Sequence, residues 1–106
     1  MEDWSPVARA EDLPVGRAIV VQHEGEAVAV FNIEGRLFAC SEHCPHAGGP
    51  LHLGLLRGTT VVCPWHGWNF DLDPATAPPR DGALRYLVRL QDGQILLRTK
   101  VAPSSE

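Results

Sequence analysis

The sequence has no apolar run long enough to cross a membrane, few aromatic residues and only three cysteines. Aromatic residues make up 7% and hydrophobic residues 44% of its 106 residues, which is typical of an ordinary globular protein. A transmembrane helix would need about 20 consecutive apolar residues. The N-terminus, which begins Met1-Glu2-Asp3, lacks the basic and then apolar order of a secretory signal. We therefore expect a cytoplasmic protein without a membrane partner.

Basic residues are also scarce. Nine lysines and arginines stand against 13 acidic residues, so the net charge at pH 7 is −4. No basic stripe is available to neutralise phosphates, which argues against a nucleic-acid partner. The sequence also lacks a Ser-His-Asp pattern and a phosphate-binding glycine loop. The function should therefore lie outside nucleic-acid binding, triad hydrolysis and nucleotide binding.

Short β-rich runs alternate with Gly, Pro, Asn and Asp, which is typical of an all-β protein, and no stretch is a convincing helix. Strands are expected at 4–9, 17–22, 27–31, 37–40, 58–62, 68–72, 84–90 and 94–99. Within 84–90, alternation places Leu84, Tyr86, Val88 and Leu90 on one half-buried face. Asp92-Gly93 is a strong hairpin signal. A chain of this length should form one domain, residues 1–106.

Cysteine and histidine are combined in two short stretches. The first finger, residues 44–51, contains Cys44-Pro45-His46, and the second finger, residues 63–67, contains Cys63-Pro64-Trp65-His66. Each finger supplies one thiolate and one imidazole, which are ligands of first-row metals and iron–sulfur clusters. Residues 47–62 lie between His46 and Cys63, enough for a strand that returns the second pair beside the first.

The spacing within the fingers favours a cluster. With a one-residue gap between them, Cys44 and His46 cannot easily coordinate the same small ion. In a cluster with two metals, each of the two side chains can bind a different metal. Gly48, Gly49 and Gly67 lack a Cβ, so backbone N–H groups at these positions can approach a sulfur closely. The sequence therefore indicates a metal cluster held between two loops.

Cys-x-His, sixteen residues, Cys-x-x-His resembles the Rieske signature. The resemblance extends over about residues 4–100, because the hairpin at 30–39, Leu51 with Gly54, and Phe70-Asp71 also match the family. It implies one [2Fe–2S] cluster per chain. The resemblance also implies three small antiparallel sheets, with a two-loop cluster-binding subdomain at about residues 40–72 inserted in the β base of a single Rieske domain. The implied ligands are Cys44 and Cys63 on one iron and His46 and His66 on the other.

By the same resemblance, the chain is expected to be a low-potential, oxygenase-associated Rieske-type ferredoxin. A cluster with four protein ligands has no open coordination position, so an electron-transfer protein is expected and not an enzyme. Electrons would pass from a flavin-containing NAD(P)H-dependent reductase to a terminal oxygenase. A Rieske oxygenase would need a second domain with a mononuclear iron site, for which these 106 residues have no room. The histidine ligands would lie at an exposed tip with Pro45, Gly48 and Trp65, where both partners dock.

Two alternatives remain open. The small subunit of an NAD(P)H nitrite reductase is similar in fold and length, although many members of that group lack the four ligands. A zinc-stabilised interaction module is the other alternative, because Cys40-x3-Cys44 with Cys63-x2-His66 has spacings found in zinc sites. The zinc hypothesis leaves His46 unexplained and requires Cys40 to turn outward from a strand end.

The remaining residues near the fingers have simpler expected roles. Cys40 should be a small buried residue. His43 and His52 should be surface residues or residues that support a ligand. Trp65 and Trp68 should pack around the cluster and exclude water from its sulfurs. Asp71 and Asp73 favour turn chemistry, and Pro78-Pro79 resembles a family loop that covers the cluster.

The resemblance also implies a low reduction potential. High-potential Rieske proteins carry an extra cysteine in each finger, joined as a disulfide, and hydroxyl groups that donate to the cluster sulfurs. The corresponding positions here are Gly49, Trp65, Trp68 and Phe70. Fewer donors stabilise the added negative charge less, which favours the lower end of the Rieske range of about −150 to +300 mV.

Overall fold

The computed structural model describes residues 4–43, 48–65, 67, 69–73 and 85–99. In these residues the chain forms nine β-strands and two short 3-10 helices, Ala10–Asp12 and Leu51–Leu53. The strands are β1 (Ser5–Arg9), β2 (Ala18–His23), β3 (Glu26–Ile33), β4 (Arg36–Ser41), β5 (Leu55–Arg57), β6 (Thr60–Val62), β7 (Asn69–Asp71), β8 (Arg85–Gln91) and β9 (Gln94–Thr99). No helix in the described residues has the length and apolar character needed to span a bilayer.

Three tight turns set the hairpins of the base. Glu24-Gly25 joins β2 to β3, Glu34-Gly35 joins β3 to β4, and Asp92-Gly93 joins β8 to β9. Both residues of each pair have positive φ, from 52° at Glu24 to 92° at Gly35. This backbone matches the right-handed twist of the flanking strands and favours glycine at the second position. The predicted meander of β2, β3 and β4 is therefore confirmed, as is the hairpin at Asp92-Gly93.

All strand pairs are antiparallel, as predicted for an all-β fold. Six strands form one sheet in the order β1-β9-β8-β4-β3-β2, and β5-β6-β7 form a second sheet. The large sheet consists of two three-stranded halves, which in the described residues are joined where β4 pairs with β8, Ala39 with Tyr86 and Cys40 with Arg85. The described residues thus form two antiparallel sheets where three small ones were expected, because two of the three-stranded units are joined edge to edge through β4 and β8.

β3 is buried on both faces. Its residues Val28 to Phe31 are each 0% exposed, although strict alternation would bury only every second side chain. Val28 and Val30 pack with Tyr86, Ile95 and Leu97 in one core cluster. Ala29 and Phe31 belong to a second cluster with Phe38 and Cys40 of β4. This cluster also contains residues of the fingers and of the small sheet or next to it: Leu51, Val61, Cys63, Phe70 and Leu72. The second cluster therefore attaches the finger region to the base.

Two strand-level expectations need correction. β5 was not expected, because its residues Leu55 to Arg57 include no β-branched or aromatic side chain. The predicted face of β8 holds for buried Tyr86 and half-buried Val88, but Leu90 is 57% exposed. Leu90 lies beyond the short pairing with β4, where β8 has only β9 beside it. Leu84 and the Pro78-Pro79 loop lie outside the described residues.

Candidate metal centre

The second finger begins where β6 ends. The β-branched residues Thr60 to Val62 form β6, and Cys63 follows immediately with only 1% of its surface exposed. The Gly67 amide donates a hydrogen bond to the Cys63 carbonyl oxygen at 3.0 Å, which closes a turn around Pro64 and Trp65. Cys63 is thus held by a strand on one side and a turn on the other, and its thiol lies inside the second core cluster.

The first finger leaves the base after β4 and is closed at its own ends. His43 and Pro50 form a β-bridge, and the Leu51 amide donates to the Glu42 carbonyl oxygen at 2.8 Å. Leu51 is 0% exposed and begins the 3-10 helix that follows the finger. A buried leucine at one end and a strand at the other therefore hold the finger against the base.

The two fingers meet at Gly49. A Cβ placed on Gly49 would lie 2.8 Å from the Cys63 sulfur and 3.1 Å from Cγ of Trp65, closer than ordinary van der Waals contact. Only a residue without a side chain lets the first-finger backbone approach the thiol this closely. In the resemblance described above, Gly49 and Trp65 correspond to the two disulfide-bonded cysteines of high-potential Rieske proteins. The structure brings these positions together as a contact between backbone and ring.

Of the four expected ligands, Cys63 is the one in the described part of the chain. Cys44, His46 and His66 lie outside the described residues, as do Pro45 and Trp68. The residues present fit an iron–sulfur cluster, because a thiol stands at a strand end with bare backbone against its sulfur. Peptide N–H groups near cluster sulfurs are among the means by which proteins tune such centres.

The other residues singled out from the sequence lie near the fingers in varied roles. Cys40 is 0% exposed, as predicted, and belongs to the same cluster as Cys63. Trp65 is 59% exposed and so presents much of its ring to solvent, while its inner edge contacts Gly49. The Asp71 carboxylate accepts hydrogen bonds from the Thr59 hydroxyl at 3.1 Å and the Asp73 amide at 3.0 Å, in agreement with turn chemistry.

The two extra histidines differ from each other. His43 is exposed, and its Nδ1 lies 3.4 Å from the Gly48 carbonyl oxygen. His52 contacts Glu42, a residue that sequence reasoning missed, through both its backbone amide and its ring. Glu42 is only 4% exposed. The sole sequence signal for Glu42 was a carboxylate between a β-strand and a cysteine, which by itself predicts no partner.

The described residues thus form an all-β base that brings two loops together at one buried thiol. The chain belongs to the Rieske [2Fe-2S] domain family, which matches residues 3–95. The cofactor of this family is one [2Fe–2S] cluster per domain. The cofactor expected from the sequence is therefore the cofactor of the family.

Sequence relatives agree with this membership, and a solved structure shares the fold. The chain is 26% identical over 100 residues to the ferredoxin component of the naphthalene 1,2-dioxygenase/salicylate 5-hydroxylase systems of Ralstonia sp., covering 92% of this chain and 96% of the relative. It is 30% identical over 98 residues to the biphenyl dioxygenase ferredoxin subunit of a Pseudomonas species, covering 89% and 90%. The fold is shared with a chain from the complex of reduced oxygenase and oxidized ferredoxin in carbazole 1,9a-dioxygenase, with a TM-score of 0.78, 23% identity and coverage of 92% and 96%.

Proposed function

We propose that this protein is a Rieske-type ferredoxin that carries one electron at a time from a flavin-containing NAD(P)H-dependent reductase to a terminal oxygenase. The observation that carries this proposal is that Gly49 leaves no room for a Cβ beside the Cys63 sulfur, which would be 2.8 Å away, in a chain of the Rieske family. Ferredoxin components of dioxygenase systems are matched over 90% and 96% of their own length, which supports a carrier role over a catalytic one.

The proposed ligands are Cys44 and Cys63 for one iron and His46 and His66 for the other. When bound, the cluster would accept and release one electron with all its protein ligands in place. Buried residues attach both fingers to the core of the domain. Leu51, Val61 and Phe70 are each 0% exposed. Because that anchor is apolar and close-packed, the Cys63 sulfur is shielded from water on its inner side.

The proposal also covers domain organisation and docking. We infer one Rieske domain over residues 1–106, with the cluster-binding subdomain at about 40–72, which is supported by the separate sheet of β5, β6 and β7. Both redox partners would dock at the tip formed by Pro45, Gly48, Trp65 and the histidine ligands, and so would take turns. Gly48 is exposed and Trp65 is 59% exposed, which supports an accessible tip. A cytoplasmic location follows from NAD(P)H as the electron source and is checked by cell fractionation.

Spectroscopy of the purified protein tests the cofactor and its ligands. A coloured protein with an EPR signal after dithionite reduction is expected, and a colourless zinc protein would overturn the proposal. Cys44→Ser and Cys63→Ser should abolish the native cluster. Cys40→Ala is the matched control, because it alters a buried cysteine of the same core cluster and should leave the visible spectrum intact.

Electron transfer itself needs a second assay. With a Rieske ferredoxin reductase and NAD(P)H under anaerobic conditions, the visible spectrum of the protein should bleach to the reduced form. Trp65→Ala should slow this reaction if the tip is the docking surface, whereas Val15→Ala, which alters an exposed apolar residue of the base, should not. Equal rates for both variants would contradict the proposed surface.

A further inference from the structure

The two ends of the first finger are joined by backbone contacts and, in addition, by the side chains of one residue pair. Glu42 precedes the finger and His52 follows it. The His52 amide donates to Oε1 of Glu42 at 3.0 Å, and Nδ1 of the His52 ring contacts Oε2. The Glu42 amide donates to the Ala27 carbonyl oxygen in β3 at 3.0 Å, and the Leu51 amide donates to the Glu42 carbonyl oxygen. Glu42 therefore ties the base, the beginning of the finger and the end of the finger together.

Burial gives this pair its structural effect. The Glu42 side chain is 6% exposed and the His52 side chain 29%. A buried carboxylate is costly unless its oxygens accept hydrogen bonds, and here each oxygen has one partner from His52. Nδ1 of His52 donates to this carboxylate in the tautomer or protonation state that carries a proton on Nδ1. Opening the finger would leave a buried carboxylate without these partners, so the closed loop is the favoured state.

Closure of the loop bears directly on the proposed ligands. Cys44 and His46 lie within the segment that the pair closes. A loop whose ends are already joined has less conformational entropy to lose when its side chains bind a cluster. Residues that hold the ligands of a metal site in place affect metal retention without touching the metal.

We propose that Glu42 and His52 are positioning residues that hold the first finger closed and thereby retain the cluster. This inference rests on the proposed ligands of the first finger. The pair acts through Cys44 and His46 and takes no part in electron transfer itself. Its loss should therefore be seen first in cluster retention and in the uniformity of the site, with the β base still folded.

Four variants of the cluster-loaded protein test the pair. Glu42→Ala removes both acceptor oxygens, and His52→Ala removes the ring donor while keeping the backbone amide. His52→Asn is the rescue variant, because Nδ2 of asparagine occupies the same position along the side chain as Nδ1 of histidine. Leu53→Ala is the matched control in the same 3-10 helix, since Leu53 is 66% exposed.

The measurements are the rate of loss of visible absorbance in the presence of a chelator, and the EPR line width of the reduced protein. Glu42→Ala should lose the cluster about 10- to 100-fold faster than the wild type, with broadened lines. His52→Ala should be intermediate, and His52→Asn and Leu53→Ala should resemble the wild type. Far-UV circular dichroism of each variant reports whether the β base is folded.

The outcomes separate this inference from the proposed function. A wild-type protein without a reducible cluster signal overturns the proposed function. If the wild-type protein has a normal cluster signal, and Glu42→Ala and His52→Ala show wild-type rates of cluster loss and wild-type EPR line widths, only the role of Glu42 and His52 is overturned. If Glu42→Ala does not fold, His52→Ala decides alone. Failure of His52→Asn to restore retention when His52→Ala has lost it would also contradict a hydrogen-bonding role.

Discussion

Gly49→Ala is expected to damage the site through one added methyl group. The new Cβ would lie 2.8 Å from the Cys63 sulfur, whereas favourable contacts between such atoms begin at about 3.5 Å. The backbone at Gly49 is not in the left-handed region, so an alanine there meets only a steric obstacle. Overpacking of this kind costs about 1–3 kcal/mol in the free energy of unfolding. Because the obstacle is the sulfur itself, Cys63 must move away from its position between the fingers.

Two assays read out this displacement. Thermal unfolding followed by far-UV circular dichroism should show a lower Tm, by about 4–8 °C for each kcal/mol lost. Visible absorbance per protein should show reduced cluster occupancy, because the fingers can no longer approach each other. Removing the Trp65 ring in a double variant, Gly49→Ala with Trp65→Ala, should not restore occupancy, since the contact with sulfur remains.

Gly48→Ala is the matched control. Gly48 has φ of +72° and no atom within 4 Å of a new Cβ, so alanine there meets backbone strain of about 1–2 kcal/mol and no obstacle. Both variants should lose stability, but Gly48→Ala should keep the wild-type spectrum. Full occupancy and a wild-type Tm in Gly49→Ala would refute the reasoning that a close backbone approach is needed at this sulfur.

Three further predictions concern stability and potential. Burial, and to a lesser degree the negative charge of Glu26, raises the pKa of the Tyr86 hydroxyl. The stability that this raised pKa contributes should be complete below about pH 10, the pKa of a tyrosine in the unfolded chain, and should be lost as the pH rises through the raised pKa of the folded state. The urea midpoint of the wild type should therefore fall above about pH 10, and that of Tyr86→Phe should fall less. An equal fall in both proteins would contradict the burial of the hydroxyl. Phe70→Ala should cost about 3–5 kcal/mol, measured by urea unfolding, because Phe70 is fully buried, whereas Leu90→Ala at an exposed position should change stability by less than about 0.5 kcal/mol. The midpoint potential by protein-film voltammetry should be about −150 mV, and a value above about +100 mV would be incompatible with so few donors to sulfur.

Much of the fold was predictable from the sequence because it depends on neighbouring residues. Short β-rich runs bounded by turn residues located eight of the nine strands in the described part of the chain, and β9 agrees residue for residue. β5 was missed because its residues Leu55 to Arg57 include no β-branched or aromatic side chain. The spacing of Cys63 from the first finger predicted that two loops should meet, since an intervening strand must return the chain.

Contacts between distant residues needed the tertiary structure. The sequence pattern indicated that Gly48, Gly49 and Gly67 lie close to a sulfur. Of the three, the structure places Gly49 against the Cys63 sulfur with the Trp65 ring beside it, whereas Gly48 and Gly67 have positive φ and no atom within 4 Å of an added Cβ. Nothing in the sequence paired Glu42 with His52, because hydrogen-bond partners ten residues apart are chosen by the path of the loop between them. The burial of β3 on both faces likewise depends on the small sheet packing against the base. Turn chemistry and alternation act over a few residues and can be read locally, whereas burial and pairing depend on which surfaces meet after the hairpins have formed.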